Sequence, residues 1–173
     1  MVKKNLSLAT LIITVALIAT FGIERFFKSD RGDFFILETG QAVPNFTFQT
    51  LDDETYTLYD FSGKTTLIHF WASWCAPCVV EFPELIDLAQ SRPHDITIIA
   101  ISTDRSPENI DMFFERHDMD IPDNMVVVHD ADKSMTEGKF SVFRLPETFI
   151  VDGQHLLQRH IIGAYADWAT FQE

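Results

Sequence analysis

Two kinds of apolar pattern alternate along the chain. Thr65–Trp71 is an almost unbroken run of apolar and β-branched residues, and Ile96–Ile101 repeats it. Both have the pattern of strands buried on two faces. Met125–Val128 is a shorter run of the same kind. Between the first two, Ala76–Gln90 predicts a helix, with Pro77 suited to its first turn and Pro83 expected to kink it. Ser106-Pro107-Glu108 predicts the start of a second helix reaching about His117, with Ser106 as N-cap. Upstream, Asn45–Gln49 and Thr55–Leu58 alternate around Asp52-Asp53, which predicts a hairpin. Gly63-Lys64 then turns the chain into the first buried strand. Asp132–Phe140 predicts one or two helical turns. Thr148–Val151 and His155–Ile161 predict a hairpin across Asp152-Gly153, and Asp167–Phe171 a short last helix. Strands alternating with helices, then a hairpin and a helix, predict an α/β fold with a mixed central sheet flanked by helices and an N-terminal β-hairpin. This domain is expected over 41–173, behind a charged linker at 24–40.

The first 23 residues follow a different rule. Leu6–Ile23 holds no charge over 18 residues and lies behind Lys3 and Lys4. That length is close to the roughly 20 residues that span a bilayer. A signal anchor fits. A cleaved signal peptide is the alternative, although Thr20 and Gly22 are poor residues for its cleavage site. No cysteine follows, which excludes a lipoprotein anchor. Basic residues flank both ends, so charge barely sets the orientation. A short N-terminus inside and the domain outside is the expected arrangement.

Charge then narrows the partners. The 173 residues carry a formal net charge of −13, and residues 1–30 contribute about +2 of it. The remaining body is strongly acidic and would repel a phosphate backbone, so nucleic acid is excluded as a partner. Apolar residues make up 46% of the chain and Phe alone 16 positions, enough for an aromatic-rich core.

There are two cysteines, Cys75 and Cys78. A disulfide scaffold needs more of them, further apart. A zinc site needs four ligands, and no second Cys/His pair accompanies these. The remaining histidines show no metal spacing, and no cofactor is implied. Redox chemistry is left. Cys75 would stand at a helix N-terminus, where unpaired N–H groups and the helix dipole favour a thiolate. Cys78 lies almost one turn later, within disulfide reach. Cys75 is therefore the expected nucleophile and Cys78 the resolving thiol. Trp74, Ala76 and Pro77 would border the attacking sulfur, with Trp71 and Trp74 framing the site and the core.

The run Phe70-Trp71-Ala72-Ser73-Trp74-Cys75-Ala76-Pro77-Cys78 resembles the active site of the thioredoxin superfamily. With Glu81-Phe82-Pro83, the Val43–Phe48 stretch and Leu145-Pro146-Glu147-Thr148-Phe149, it is similar to the TlpA-like branch, which includes ResA-like and CcmG/DsbE-like proteins. The resemblance covers about residue 41 to the end. It implies a thioredoxin-like fold and a membrane-attached, extracytoplasmic protein. It further implies reduction of protein disulfides, notably those of apocytochrome c during haem attachment. It implies a cis Pro146 facing the dithiol, where the backbone of Leu145 could pair with an extended substrate. Glu81 matches an acidic position of the branch and could relay protons. His69 departs from it, standing where thioredoxins usually carry a buried aspartate. Two readings of His69 stay open: a proton-exchanging group near neutral pH that favours thiolate when protonated, or a neutral, satisfied core histidine.

The expected function is thiol–disulfide exchange with extracytoplasmic protein partners, in the reducing direction, with an upstream membrane thiol reductant resetting the pair. Three rivals share the residues: a disulfide oxidase or isomerase of the same fold, a non-enzymatic apocytochrome or haem-binding module, and a thiol peroxidase, for which no further motif surrounds the cysteine.

Overall fold

The computed structural model describes residue 35 and residues 37–171. The expected anchor or signal segment, residues 1–23, lies outside the described residues, as does most of the linker. Among the described residues no helix is long and apolar enough to cross a membrane.

β1 (Thr47–Gln49) and β2 (Thr55–Thr57) form the opening antiparallel hairpin, with Phe48 opposite Tyr56. A 3-10 turn, Leu58–Phe61, follows, and Asp60 accepts the Thr57 N–H at 2.6 Å to start it. Gly63, at φ +85°, turns the chain into β3 (Thr65–Trp71), whose seven residues are all buried. Then come α1 (Ala76–Ser91), β4 (Ile96–Ser102), α2 (Pro107–Arg116) and β5 (Met125–His129). A π-helical turn (Ser134–Lys139), β6 (Glu147–Val151), β7 (Leu157–Ile162) and a 3-10 turn (Trp168–Thr170) complete the described chain. The five-stranded sheet runs β5-β4-β3-β6-β7. β3, β4 and β5 are parallel, and β6 and β7 are antiparallel to their neighbours, so the sheet is mixed as expected.

β3 is the middle strand, and its alternation divides the core. Leu67 and Trp71 point toward the helices and pack with Cys78 and Phe82 of α1 and Phe113 and Phe114 of α2. The Trp71 ring lies 4.4 Å from Phe82 and 4.9 Å from Phe113. Ile68 and Phe70 point the other way, into a second cluster with Phe46, Phe48, Phe140 and Phe149. Phe35 stacks edge-on against Phe140 at 5.0 Å and donates its N–H to Lys139. Gly40 and Val43 are hydrogen-bonded to Leu157 and His155, so the chain is tied to β7 and the connection before it ahead of β1.

Three local expectations change. The residues after Asp130 form a π turn because the buried Asp130 carboxylate gathers the N–H groups of Met135 and Thr136 and the Thr136 hydroxyl, at 3.2, 2.7 and 2.6 Å. The β6–β7 connection is not a two-residue turn at Asp152-Gly153. Asp152 Oδ1 accepts the N–H groups of Gln154 and Leu156, and His155 takes the left-handed conformation, φ 65°. Ser106 occupies the N-cap position, but its side chain makes no capping bond and pairs with the Glu108 carboxylate instead.

Candidate active site

The end of β3 delivers the cysteines. Trp71 is the last strand residue, and the N–H of Cys75 bonds to Ala72 C=O at 3.1 Å, closing a tight turn over Ser73 and Trp74. Cys75 is the N-cap of α1, with extended backbone angles, and Ala76 and Pro77 occupy the first turn. Pro77 lacks an N–H where an intrahelical partner would be missing anyway. Cys75 and Cys78 are joined in a disulfide, their Cα atoms 5.2 Å apart. The two sulfurs are not equivalent. Cys78 is fully buried behind the helix start, whereas Cys75 keeps 6% of its surface and opens onto a groove. Of the two sulfurs, Cys75 is therefore the one open to a partner.

The groove has a volume of about 440 Å³. Trp74, Cys75, Ala76 and Pro77 form one wall, and Val142, Phe143, Arg144 and Leu145 the other. The Leu145–Pro146 peptide bond is cis. Among the described residues the Leu145 N–H and C=O have no hydrogen-bond partner, although β6 begins two residues later. The structure therefore brings together Trp74, Cys75, Ala76, Pro77 and Leu145. Trp74 is 67% exposed and Phe143 77%, in a chain whose other phenylalanines mostly fill the core. Phe143, Val142 and Arg144 were not singled out from the sequence. An isolated Phe between Val142 and Arg144 follows no period and reads as one more core residue.

Glu81 lies three residues beyond Cys78 on α1 and is buried. Its Oε1 accepts the Trp168 indole N–H at 2.6 Å and the Tyr165 N–H at 3.1 Å, and Oε2 has no partner among the described residues. Burial raises its pKa, the negative charge of Glu84 adds to the rise, and the two donors oppose it.

His69 corrects one expectation. It is fully buried on β3, on the helix-facing side, with its ring 6.0 Å from that of Phe82. Desolvation lowers its pKa to about 3, so it is neutral at physiological pH and cannot favour the thiolate as a cation. Nor is it a satisfied core histidine. Nδ1 pairs with Thr148 Oγ1 at 2.9 Å, while Nε2 is buried without a partner among the described residues. Trp71 is wholly core, whereas Trp74 belongs to the groove.

Of the other histidines, His160 bonds Glu147 at 2.8 Å and stacks on Phe149, and His129 bonds the backbone carbonyl of Asp104. Among the described residues no group of acidic, His or Cys side chains is arranged to hold a metal ion.

Comparison with known proteins agrees with this geometry. The chain is 28% identical over 166 residues to the thioredoxin-like protein YneN of Bacillus subtilis, covering 94% of this chain and 92% of that one. It is 29% identical over 164 residues to the thiol-disulfide oxidoreductase ResA of Bacillus cereus, covering 93% and 90%. The solution structure of a thiol:disulfide interchange protein from a Bacteroides species superposes with a TM-score of 0.61 at 28% identity, over 72% of this chain and 81% of that one. The fold is thioredoxin-like, and a cysteine pair at bonding distance, one member open to a groove, is the centre of a thiol–disulfide oxidoreductase. Residues 39–160 match the model of the AhpC/TSA family, and the chain belongs to that family.

Proposed function

We propose that this chain reduces disulfides of extracytoplasmic proteins, with apocytochrome c as the substrate class, from a position tethered to the membrane by residues 6–23. The observation that carries the reading is the placement of the Cys75–Cys78 disulfide at the N-terminus of α1, across a groove from the open backbone of Leu145, whose bond to Pro146 is cis. The likeness to proteins named thiol-disulfide oxidoreductase supports it.

In the reduced form, Cys75 loses its proton at the helix terminus, where backbone N–H groups and the dipole stabilise the thiolate. An extended substrate segment pairs with Leu145 and brings a disulfide sulfur onto Cys75. The Cys75 sulfur bonds to it, and the second substrate sulfur leaves as a thiolate and takes up a proton. Cys78 then gives up its proton and attacks Cys75 Sγ, releasing the first substrate thiol and closing the disulfide seen here. Two electrons pass from the pair to the substrate. One group on the same helix suits its proton: the Glu81 carboxylate, whose proton affinity burial has raised. A membrane thiol reductant resets the pair.

The test is a Cys78→Ser chain, which should trap the substrate on Cys75 as a mixed disulfide that can be identified. A redox titration tests the direction: a potential near the roughly −120 mV of strong oxidants would overturn the reductase reading in favour of an oxidase. Cys75→Ser should abolish exchange. Substrate maturation undiminished by that change would instead mark a non-enzymatic binding module.

A further inference from the structure

Outside the groove, one buried charge is left without an assigned role. Asp104 follows β4 and is completely buried. Its Oδ2 accepts the Ser73 N–H at 2.8 Å and the Ser102 hydroxyl at 2.7 Å, and its Oδ1 accepts the Ser73 hydroxyl at 2.7 Å. Every hydrogen bond of this carboxylate comes from a donor. No Lys, Arg or His side chain lies within ion-pair distance of it among the described residues. Removing a charge from water without a counter-ion is costly, so a carboxylate kept in this state invites a reason.

Its position supplies one. Ser73 is a central residue of the turn closed by Cys75 N–H on Ala72, two residues before the attacking sulfur. The neighbouring Thr103 bonds the Trp71 carbonyl through its N–H and lines the groove beside Cys75. The loop after β4 thus holds the loop after β3 from behind, and it does so with a negative charge. We propose that Asp104 is the positioning residue of the dithiol: its carboxylate fixes the turn that presents Cys75 and opposes the build-up of charge on that sulfur, poising the pair as a reductant. This rests on the exchange function proposed above and adds what sets its direction.

The sign follows from the electrostatics. The N-terminus of α1 favours a Cys75 thiolate, and a thiolate stabilises the reduced state and makes a pair oxidising. A fixed negative charge bonded to Ser73, two residues before the sulfur, works against that, keeps the thiol protonated to higher pH and lowers the reduction potential. Other charges face Cys75 as well. Lys133, Glu137 and Arg144 line the groove, with Lys133 and Glu137 paired at 2.7 Å. His129 bonds the backbone carbonyl of Asp104, and Glu108 feels the charge of His129. Asp104 differs from all of these in being fully buried, so solvent and salt screen it least.

The experiment uses the full chain in detergent, with the Cys75 pKa read from the pH dependence of alkylation and the potential from equilibration with a glutathione buffer. Asp104→Asn keeps the shape and removes the charge. It should lower the Cys75 pKa by about one unit and shift the dithiol–disulfide equilibrium about tenfold toward the reduced form, about 30 mV. Ser102→Ala keeps the charge and removes one of its donors, so it should raise the Cys75 pKa. A fall with Asp104→Asn and a rise with Ser102→Ala sustain the proposal. No fall with Asp104→Asn, or no rise with Ser102→Ala, overturns it; a fall in both variants would make loosening of the turn the common cause. If the Asn variant does not fold, Ser102→Ala decides: a rise sustains the proposal and its absence overturns it. Failure of the wild type to exchange with glutathione would instead strike at the oxidoreductase reading itself.

Discussion

Glu81 Oε1 lies 2.6 Å from the indole nitrogen of Trp168, 87 residues further along the chain. This bond joins the helix that carries the dithiol to the last described turn. Trp168 is fully buried, and its ring lies 4.9 Å from Tyr165 and 5.7 Å from Phe171. The C-terminal segment therefore closes the core that also holds Cys78 and supplies both hydrogen-bond donors to Glu81.

That closure has a pH signature. Burial holds the Glu81 pKa above its ordinary 4.5, so the folded protein keeps a proton there that the unfolded chain releases. The contribution to stability is complete below the unfolded value and is lost as the pH rises through the folded pKa. Glu81→Gln carries no charge at any pH, and its amide oxygen can still accept from Trp168 and Tyr165. Urea unfolding of both chains between about pH 4 and pH 8 should show the variant gaining on the wild type as the pH rises. Parallel curves would mean that Glu81 has the same pKa in both states.

His69 has the opposite sign. Its pKa falls from 6.5 to about 3 on folding, so the folded chain binds fewer protons than the unfolded chain. The neutral imidazole contributes fully above the unfolded value, and that contribution is lost as the pH falls from about 6.5 toward 3. The size is up to about 5 kcal/mol, an upper bound because the buried ring can relax toward solvent. His69→Asn keeps a partner for Thr148 and removes the titration. Its acid-unfolding midpoint should move to lower pH than that of the wild type. The pH profile of disulfide exchange should show no step at 6.5 that disappears in the variant, since His69 is already neutral there.

How much of this could be read from the chain depended on burial. β3 begins and ends where the apolar and β-branched run does, because all seven of its residues, His69 included, are buried. The same holds for α1, whose start is fixed by Cys75 at the N-cap and Pro77 in the first turn. Features set by a single side chain were not legible. Asp130 draws the following turn into π geometry, and Asp152 reshapes the β6–β7 connection, each through bonds that no hydrophobic pattern encodes. At the site, Cys75, Cys78 and Pro146 belong to a local motif and could be found. Phe143 stands out because it is exposed, and Asp104 because it is buried; composition reports neither.

Phe143 offers a clean separation of binding from folding. Its side chain is 77% exposed on the groove wall opposite Trp74, so truncation removes little core packing. Phe143→Ala should change unfolding free energy by less than about 0.5 kcal/mol. A patch of exposed aromatic surface beside an attacking sulfur would instead act on the substrate. Steady-state reduction of a disulfide-bonded protein should show KM raised several-fold with kcat little changed, the pattern of lost binding common to ground and transition states. A loss of stability with unchanged KM would place Phe143 in the fold rather than in the groove.

Gly153 is held by a close approach rather than by its own turn. A methyl group there would meet the Gly63 carbonyl carbon at 2.8 Å and its Cα at 2.9 Å, and both are backbone atoms. The contact is tight because Gly63 N–H donates to Gly153 C=O at 2.9 Å, joining the turn before β3 to the connection after β6. Gly63 cannot retreat easily, since its φ of +85° is what turns the chain into the central strand. Gly153→Ala must therefore break that hydrogen bond or push the two turns apart, at a cost of about 1–3 kcal/mol. The end affected is remote from the dithiol, because β3 enters the sheet there and reaches the active site only at Trp71. Thermal unfolding should show a lower Tm in the variant, while the exchange rate per folded molecule at 25 °C stays that of the wild type. An unchanged Tm would mean that the two turns separate without loss, and that the opening of β3 is softer than its packing indicates.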